Sequence, residues 1–220
     1  MTYTAPILTV DTVVFQLIEA RLCVLLITRT NPPFQGRRAL PGGYISLGET
    51  THEALQRVLS DKAGIERTTL PLIEQLYTFD TVARDPRGHA VSVTYMALGR
   101  DVVPDARATL HQPQFVPVDA LPDIAFDHAQ IVAYACERLR NKISYTNAIF
   151  ALVPDYFTLS QLQQAYEAIL ARPLDKRNFR KKIMSLAMIA ETPQMYRDGA
   201  HRPARLYRFV HATLTDTAMF

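Results

Sequence analysis

Apolar and polar positions change their period several times along the chain, and each change marks an element. Ile7–Leu17 and Arg21–Arg29 are dense in Val, Ile and Leu, with a polar break near Glu19, the pattern of two strands joined as a hairpin. Asn31–Gly36 holds two prolines and a glycine and reads as a loop. From Thr50–Thr51 the period becomes helical: Ala54, Leu55, Val58 and Leu59 recur at three-to-four spacing until Gly64, a C-terminal stop. Gln75–Asp80 and Ala90–Leu98 read as further strands, separated by the turn Asp85-Pro86-Arg87-Gly88. Pro117 and Pro122 bracket a loop, after which Asp127 can N-cap a helix to about Leu139 with Ile131, Ala135 and Leu139 on one face. Mixed strands with a helix on either side predict an α+β fold, an α/β/α sandwich over residues 1–142.

The pattern over residues 143–220 is different and predicts a second domain. Asn147–Val153 looks helical. Thr158 and Gln161 fit a capping box ahead of Leu159, Leu162, Tyr166 and Ile169, and Arg172-Pro173 breaks that helix. A third helix starts near Asp175, with Phe179, Ile183 and Leu186 inward and Lys176, Arg177, Arg180 and Lys181 on its other faces. A polar turn containing Gly199 then leads into the strand-like Arg205–Val210. Three short helices followed by a hairpin is the winged helix-turn-helix plan, with Tyr166 and Tyr207 expected in its core.

Charge reinforces this division. The net charge of +3 is uneven: residues 1–145 carry 14 Lys+Arg against 15 Asp+Glu, whereas residues 146–220 carry 10 against 6. Nine of those ten basic residues lie between Lys176 and Arg208, an electrostatic footprint for nucleic acid. The two cysteines, Cys23 and Cys136, sit in apolar runs without a Cys/His cluster and read as buried free thiols of a reducing cytoplasm. The apolar runs fall short of the ~20 residues of a membrane span. No charged-then-apolar leader opens the chain. A cytoplasmic protein without a membrane partner is expected.

Leu40-Pro41-Gly42-Gly43, then Glu49, Arg57, Leu59, Gly64 and Ile65, resembles the Nudix box in register over 23 residues from Gly43. In Nudix hydrolases, box glutamates on one helix face hold a divalent metal that helps cut diphosphates. Carboxylates at i, i+3 and i+4 share a face and can share Mg²⁺. Here those positions are Val58, Asp61 and Lys62. Valine offers no oxygen, and an ammonium about 4 Å from Mg²⁺ costs several kcal/mol even at an effective dielectric near 20. The resemblance therefore implies a Nudix fold whose box is eroded, with no catalytic residue, metal or cofactor expected. Lys62 swinging away, or Glu49 or Glu53 recruiting an ion, would leave residual hydrolase activity open.

An eroded site can still bind. Gly42 and Gly43 permit close approach of backbone N–H groups to a pyrophosphate. Arg37, Arg38, Arg57, Arg84 and Arg87 are candidate phosphate partners, with Glu49 beside Arg57 in the box. For Arg57 a structural ion pair with a box carboxylate is the competing reading. Phe34, Tyr44, Tyr77 and Phe79 are candidates for stacking on a base.

The stretches Leu76–Leu98 and Phe157–Phe209, above all Leu174–Lys182 and His201–Tyr207, extend the resemblance over nearly the whole chain. They resemble the Nudix-related transcriptional regulators of NAD metabolism. That resemblance implies a homodimeric repressor of NAD biosynthesis and salvage genes that binds double-stranded operator DNA. Its implied effector is ADP-ribose or a related NAD-derived nucleotide, which releases the DNA. Lys176, Arg177, Asn178, Arg180, Lys181 and Lys182 are then the recognition-helix contacts. Arg197, His201, Arg202 and Arg205 on the hairpin would lie along the DNA backbone or minor groove. Two alternatives stay open: a Mg²⁺-dependent ADP-ribose pyrophosphatase with an accessory winged helix, and a regulator of sugar metabolism.

Overall fold

The computed structural model describes residues 5–105, 110–197 and 203–217. His201 and Arg202 lie outside these. The chain divides into two compact units, residues 1–16 with 23–135, and residues 17–22 with 136–220.

The first unit is a mixed seven-stranded sheet. Strands β1 (Ile7–Ile18), β2 (Arg21–Thr28), β3 (Arg38–Ala39), β5 (Leu72–Phe79) and β6 (Ala90–Leu98) run in the order β3-β2-β1-β6-β5. The short β4 (Gly42–Tyr44) pairs with β1, and β7 (Gln114–Pro117) pairs with β2. The β1–β6 pair is parallel, Val10 opposite Val93, and the β5–β6 pair is antiparallel with an irregularity at Gln75/Tyr77. The expected hairpin and the two later strands are present. Strand β7 is an addition to the sequence reading, which assigned no element to Gln114, Phe115 and Val116 and began a loop at Pro117.

Helix α1 (Thr51–Ala63) forms where the pattern predicts it, and its ends show why. Thr50 accepts from the Glu53 amide while the Glu53 carboxylate accepts from the Thr50 amide, a complete capping box. Gly64 closes the helix in the left-handed region (φ 62°), and a Cβ there would meet the Asp105 Cβ at 2.3 Å. The apolar face of α1 (Ala54, Leu55, Val58, Leu59, Ala63) packs on Val10, Val14, Leu25 and Ala97 of the sheet. Val13 and Phe15, on the opposite face of β1, are equally buried. Tyr134, from helix α2 (His128–Tyr145), packs on Tyr77 and Phe79 of β5.

Helix α2 begins as expected but runs one and a half turns beyond Leu139. Ile143 is fully buried and continues the Ile131, Ala135, Leu139 stripe at the same four-residue spacing. The Asp127 carboxylate does not serve as a simple cap, because both of its oxygens accept from Arg84.

In the second unit a 3-10 turn (Ala148–Ala151) precedes α3 (Leu159–Leu170) and α4 (Lys176–Ser185). A hairpin of β8 (Ile189–Tyr196) and β9 (Ala204–Phe209) follows. Thr158 and Gln161 form the expected capping box, Ala171 ends α3 in the left-handed region, and Asp175 caps α4 by accepting from the Asn178 amide. Leu162, Tyr166, Ile169, Phe179, Ile183 and Tyr207 are buried, with Tyr166 and Phe179 in edge contact at 5.5 Å; Leu186 is only half-buried. Phe157 and Tyr207 exchange backbone hydrogen bonds of 3.0 and 2.8 Å, which tie the hairpin to the start of α3. Cys23 and Cys136 are buried free thiols, and burial pushes the Cys136 thiol up to about 11.

Candidate functional site

A cavity of about 340 Å³ opens in the first unit beside β1, β2 and β4. Its floor follows from strand register. Antiparallel pairing sets Asp11 of β1 against Gly42 of β4, and the Asp11 carboxylate fills the space a side chain at Gly42 would need. A Cβ there would lie 1.9 Å from Asp11 Oδ1. Only glycine permits this approach.

Asp11 is buried, so its charge needs partners. Ser92 Oγ donates to Oδ2 at 2.6 Å, and Arg84 Nη2 lies 3.5 Å from the same oxygen. His128 Nε2 lies 3.5 Å from Oδ1. The backbone N–H of Leu40 donates to His128 Nδ1 at 2.9 Å, so the proton of the neutral ring sits on Nε2, facing Asp11. Burial lowers the His128 pKa and favours that neutral form. Arg84 completes the floor with two hydrogen bonds to Asp127, of 2.9 and 2.8 Å.

The walls are cationic. Arg29, Lys62, Arg84 and Arg87 line the cavity against the two carboxylates of Asp11 and Asp85. Arg87 pairs with Asp85 and donates to the Tyr44 hydroxyl. Arg29 donates to the carbonyls of Pro33 (2.7 Å) and Asn31 (3.1 Å) and lies 4.6 Å above the Phe126 ring. The Arg29 pKa is lowered first by burial and next by the positive charge of Arg87. Two guanidiniums that repel each other across a cavity form a place where an anion is welcome. Phe126, with Phe34 edge-on at 4.9 Å, and Tyr44 supply flat surface beside those charges.

The candidate effector residues divide unevenly. Gly42, Gly43, Arg84 and Arg87 line the cavity. Glu49 and Arg57 do not, because they spend their charges on each other. Arg57 donates twice to Glu49, at 2.7 Å each, and once to the Tyr44 carbonyl at 2.9 Å, so the pair fastens the 44–49 loop to α1. This is the structural ion pair, and it lowers the Glu49 carboxyl to about 2. Arg37 pairs with Asp123, Arg38 holds the Gln112 carbonyl and Gln114, and Tyr77 packs edge-on against Phe79 and at a tilt against Tyr134; none of the three lines the cavity. The sequence reading passed over Arg29, Asp11, Phe126 and His128. An acid inside the apolar strand ILTVDTVVFQLI was the available signal for Asp11, because a buried carboxylate demands a partner.

The second candidate surface is α4. Phe179 and Ile183 face inward, while Lys176, Arg177, Asn178, Arg180 and Lys181 are exposed and Lys182 is half-buried. The helix thus presents a basic face after a helix-turn-helix bend, the arrangement that enters a DNA groove. On the hairpin, Arg197 is exposed, and the exposed Arg205 is ion-paired with Glu191.

The family profile of the NUDIX domain matches residues 8–135, and that of the NrtR DNA-binding winged helix domain matches residues 149–209. The ADPR responsive transcriptional repressor NtrR of Acinetobacter baylyi is 37% identical over 94% of this chain and 83% of its own length. An ADP-ribose pyrophosphatase of Methanocaldococcus jannaschii is 34% identical over 59% of this chain and 73% of its own. Crystal structures of Shewanella oneidensis NrtR are also similar. Its complex with a 27mer DNA matches with TM-score 0.76 and 33% identity over 92% of this chain and 93% of that one. Its NUDIX domain complexed with ADP ribose matches with TM-score 0.56 and 36% identity over 62% of this chain and 90% of that one. The chain belongs to the NrtR family, a NUDIX domain followed by an NrtR DNA-binding winged helix domain.

Proposed function

We propose that this protein is a transcriptional repressor of NAD biosynthesis and salvage genes, with ADP-ribose or a related NAD-derived nucleotide as its releasing effector. The observation that carries this reading is one chain holding both a cationic, aromatic-walled cavity and an exposed basic helix after a helix-turn-helix bend. Gly42, Gly43, Arg29, Arg84 and Arg87 are the groups that would meet the nucleotide's phosphates. Lys176, Arg177, Asn178, Arg180, Lys181 and Lys182, with Arg197 and Arg205, are those that would meet operator DNA. A homodimer suits this role, since two recognition helices about 34 Å apart read a palindromic site. The effector acts only through a higher affinity for the DNA-free arrangement.

Hydrolysis is not part of the proposal. At the box positions that supply metal ligands in Nudix hydrolases, Val58 is fully buried in the core and Lys62 donates to the Gly42 carbonyl. Glu49 is held by Arg57 and Ser46, and Glu53 by Thr50. A gel shift on the upstream region of a NAD-synthesis operon, with and without ADP-ribose, is the test. A specific complex dissolved by ADP-ribose is expected. No specific complex refutes the repressor, a complex insensitive to NAD-related nucleotides refutes the sensor, and Mg²⁺-dependent release of AMP from ADP-ribose refutes the loss of catalysis.

A further inference from the structure

The fold implies a divalent cation on the inner side of α1, and this chain's donor set does not fit one. A hard cation needs several oxygens converging at about 2.0–2.6 Å. Val58 brings methyl groups, one of which would lie 3.0 Å from a Cβ on Gly43. Asp61 is exposed. Among the described residues no three His, Cys, Asp or Glu side chains are grouped to hold an ion.

The place is not left without charge. The Lys62 side chain turns under the Gly42–Gly43 backbone, where its Nζ donates to the Gly42 carbonyl and would lie 3.8 Å from a Gly43 Cβ. It also lines the cavity that Arg29, Arg84 and Arg87 border. Burial lowers the Lys62 pKa, and Asp11, beneath Gly42, is the largest charge opposing that shift and favouring the ammonium. One Nζ proton is engaged with the carbonyl, and two remain for other acceptors.

We infer that the Lys62 ammonium replaces the divalent cation as the counter-charge to a bound pyrophosphate, so that nucleotide binding needs no metal. This rests on the proposed nucleotide-binding role of the cavity. An ammonium can neutralise and orient phosphate oxygens, but it holds no water to deprotonate and offers no empty orbital to the anhydride oxygen. The substitution that allows metal-free binding therefore also leaves the ligand uncut.

The test is isothermal titration of the full chain with ADP-ribose and, separately, with inorganic pyrophosphate, each in EDTA and in Mg²⁺. Equal affinity in the two buffers is expected for the wild type. Lys62→Gln should weaken both ligands about tenfold or more, on the scale of a lost charge-assisted hydrogen bond. Lys62→Arg, which keeps the charge, should retain most of the affinity, and circular dichroism checks that both variants fold. Wild-type binding that requires Mg²⁺, or folded Lys62→Gln binding like wild type, overturns the inference and leaves the nucleotide-sensor reading intact. Pyrophosphate bound in EDTA through Lys62 without ADP-ribose binding supports the inference and refutes the effector. Binding of neither ligand in either buffer overturns both. If Lys62→Gln does not fold, a Mg²⁺ requirement of the wild type still overturns the inference, and folded Lys62→Met takes the place of Lys62→Gln in assigning the charge.

Discussion

Replacing Arg84 by Met tests whether the cavity floor is held by its buried ion network. Arg84 is 8% exposed, donates twice to Asp127 at 2.8 and 2.9 Å, and approaches Asp11 at 3.5 Å. Methionine fills much of the stem volume but leaves two carboxylates, with side chains 11% and 8% exposed, short of a cation. Removing one partner of a buried pair costs about 3–5 kcal/mol, because the remaining charge is desolvated and uncompensated. Asp11 keeps its bond from Ser92, so the lower end of that range is expected. For a protein of this size each kcal/mol shifts Tm by about 2–4 °C, giving a fall on the order of 6–12 °C at 3 kcal/mol. Adding Asp127→Asn removes one stranded charge and should restore roughly half of the loss, a non-additivity that a double-mutant cycle reads directly. Thermal unfolding followed by circular dichroism supplies the four Tm values. An Arg84→Met variant that melts within about 2 °C of wild type, or additive losses in the double variant, would refute the network.

Three further outcomes follow from the same contacts. Arg177→Ala and Lys181→Ala should each weaken DNA binding and flatten the slope of log K against log salt by about one; unchanged slopes would exclude phosphate contacts by α4. Phe179→Ala should destabilise the second unit by about 3–5 kcal/mol, since the buried ring packs against Tyr166, and urea unfolding monitored in that unit measures it. Glu49 is held down to about 2 by Arg57 and the Ser46 amide, so its stabilisation is present above the ordinary carboxylate pKa and is lost as pH falls through about 2. Carboxyl NMR of Arg57→Met should show Glu49 titrating nearer the usual value, and an unmoved pKa would contradict the ion pair.

Elements whose stabilising contacts are local were legible in the chain. Thr50 with Glu53, Gly64, Thr158 with Gln161 and Asp175 sit within a turn or so of the helix ends they close, so α1, α3 and α4 could be bounded from sequence. The register of the box and the basic face of α4 were equally open to reading, because both are fixed by spacing along the chain. Strand β7 was not, since its four residues become a strand only by pairing with β2 some ninety positions earlier. The end of α2 lay between these cases: Ile143 continued the stripe in plain view, yet its burial comes from packing.

Residue order alone indicates the two-part architecture and where positive charge accumulates. Which of those charges can act depends on the fold. Arg57 and Glu49 look like binding residues until the fold joins them, whereas Arg29 looks like the end of a strand until β2, the 31–36 loop and Phe126 bring it to the cavity. The reason is physical: helix caps and periodicity depend on neighbours in sequence, but desolvation and charge pairing depend on neighbours in space. Lys62 belongs to both accounts, since spacing along the chain places it in the box and the fold turns its Nζ to the Gly42 carbonyl.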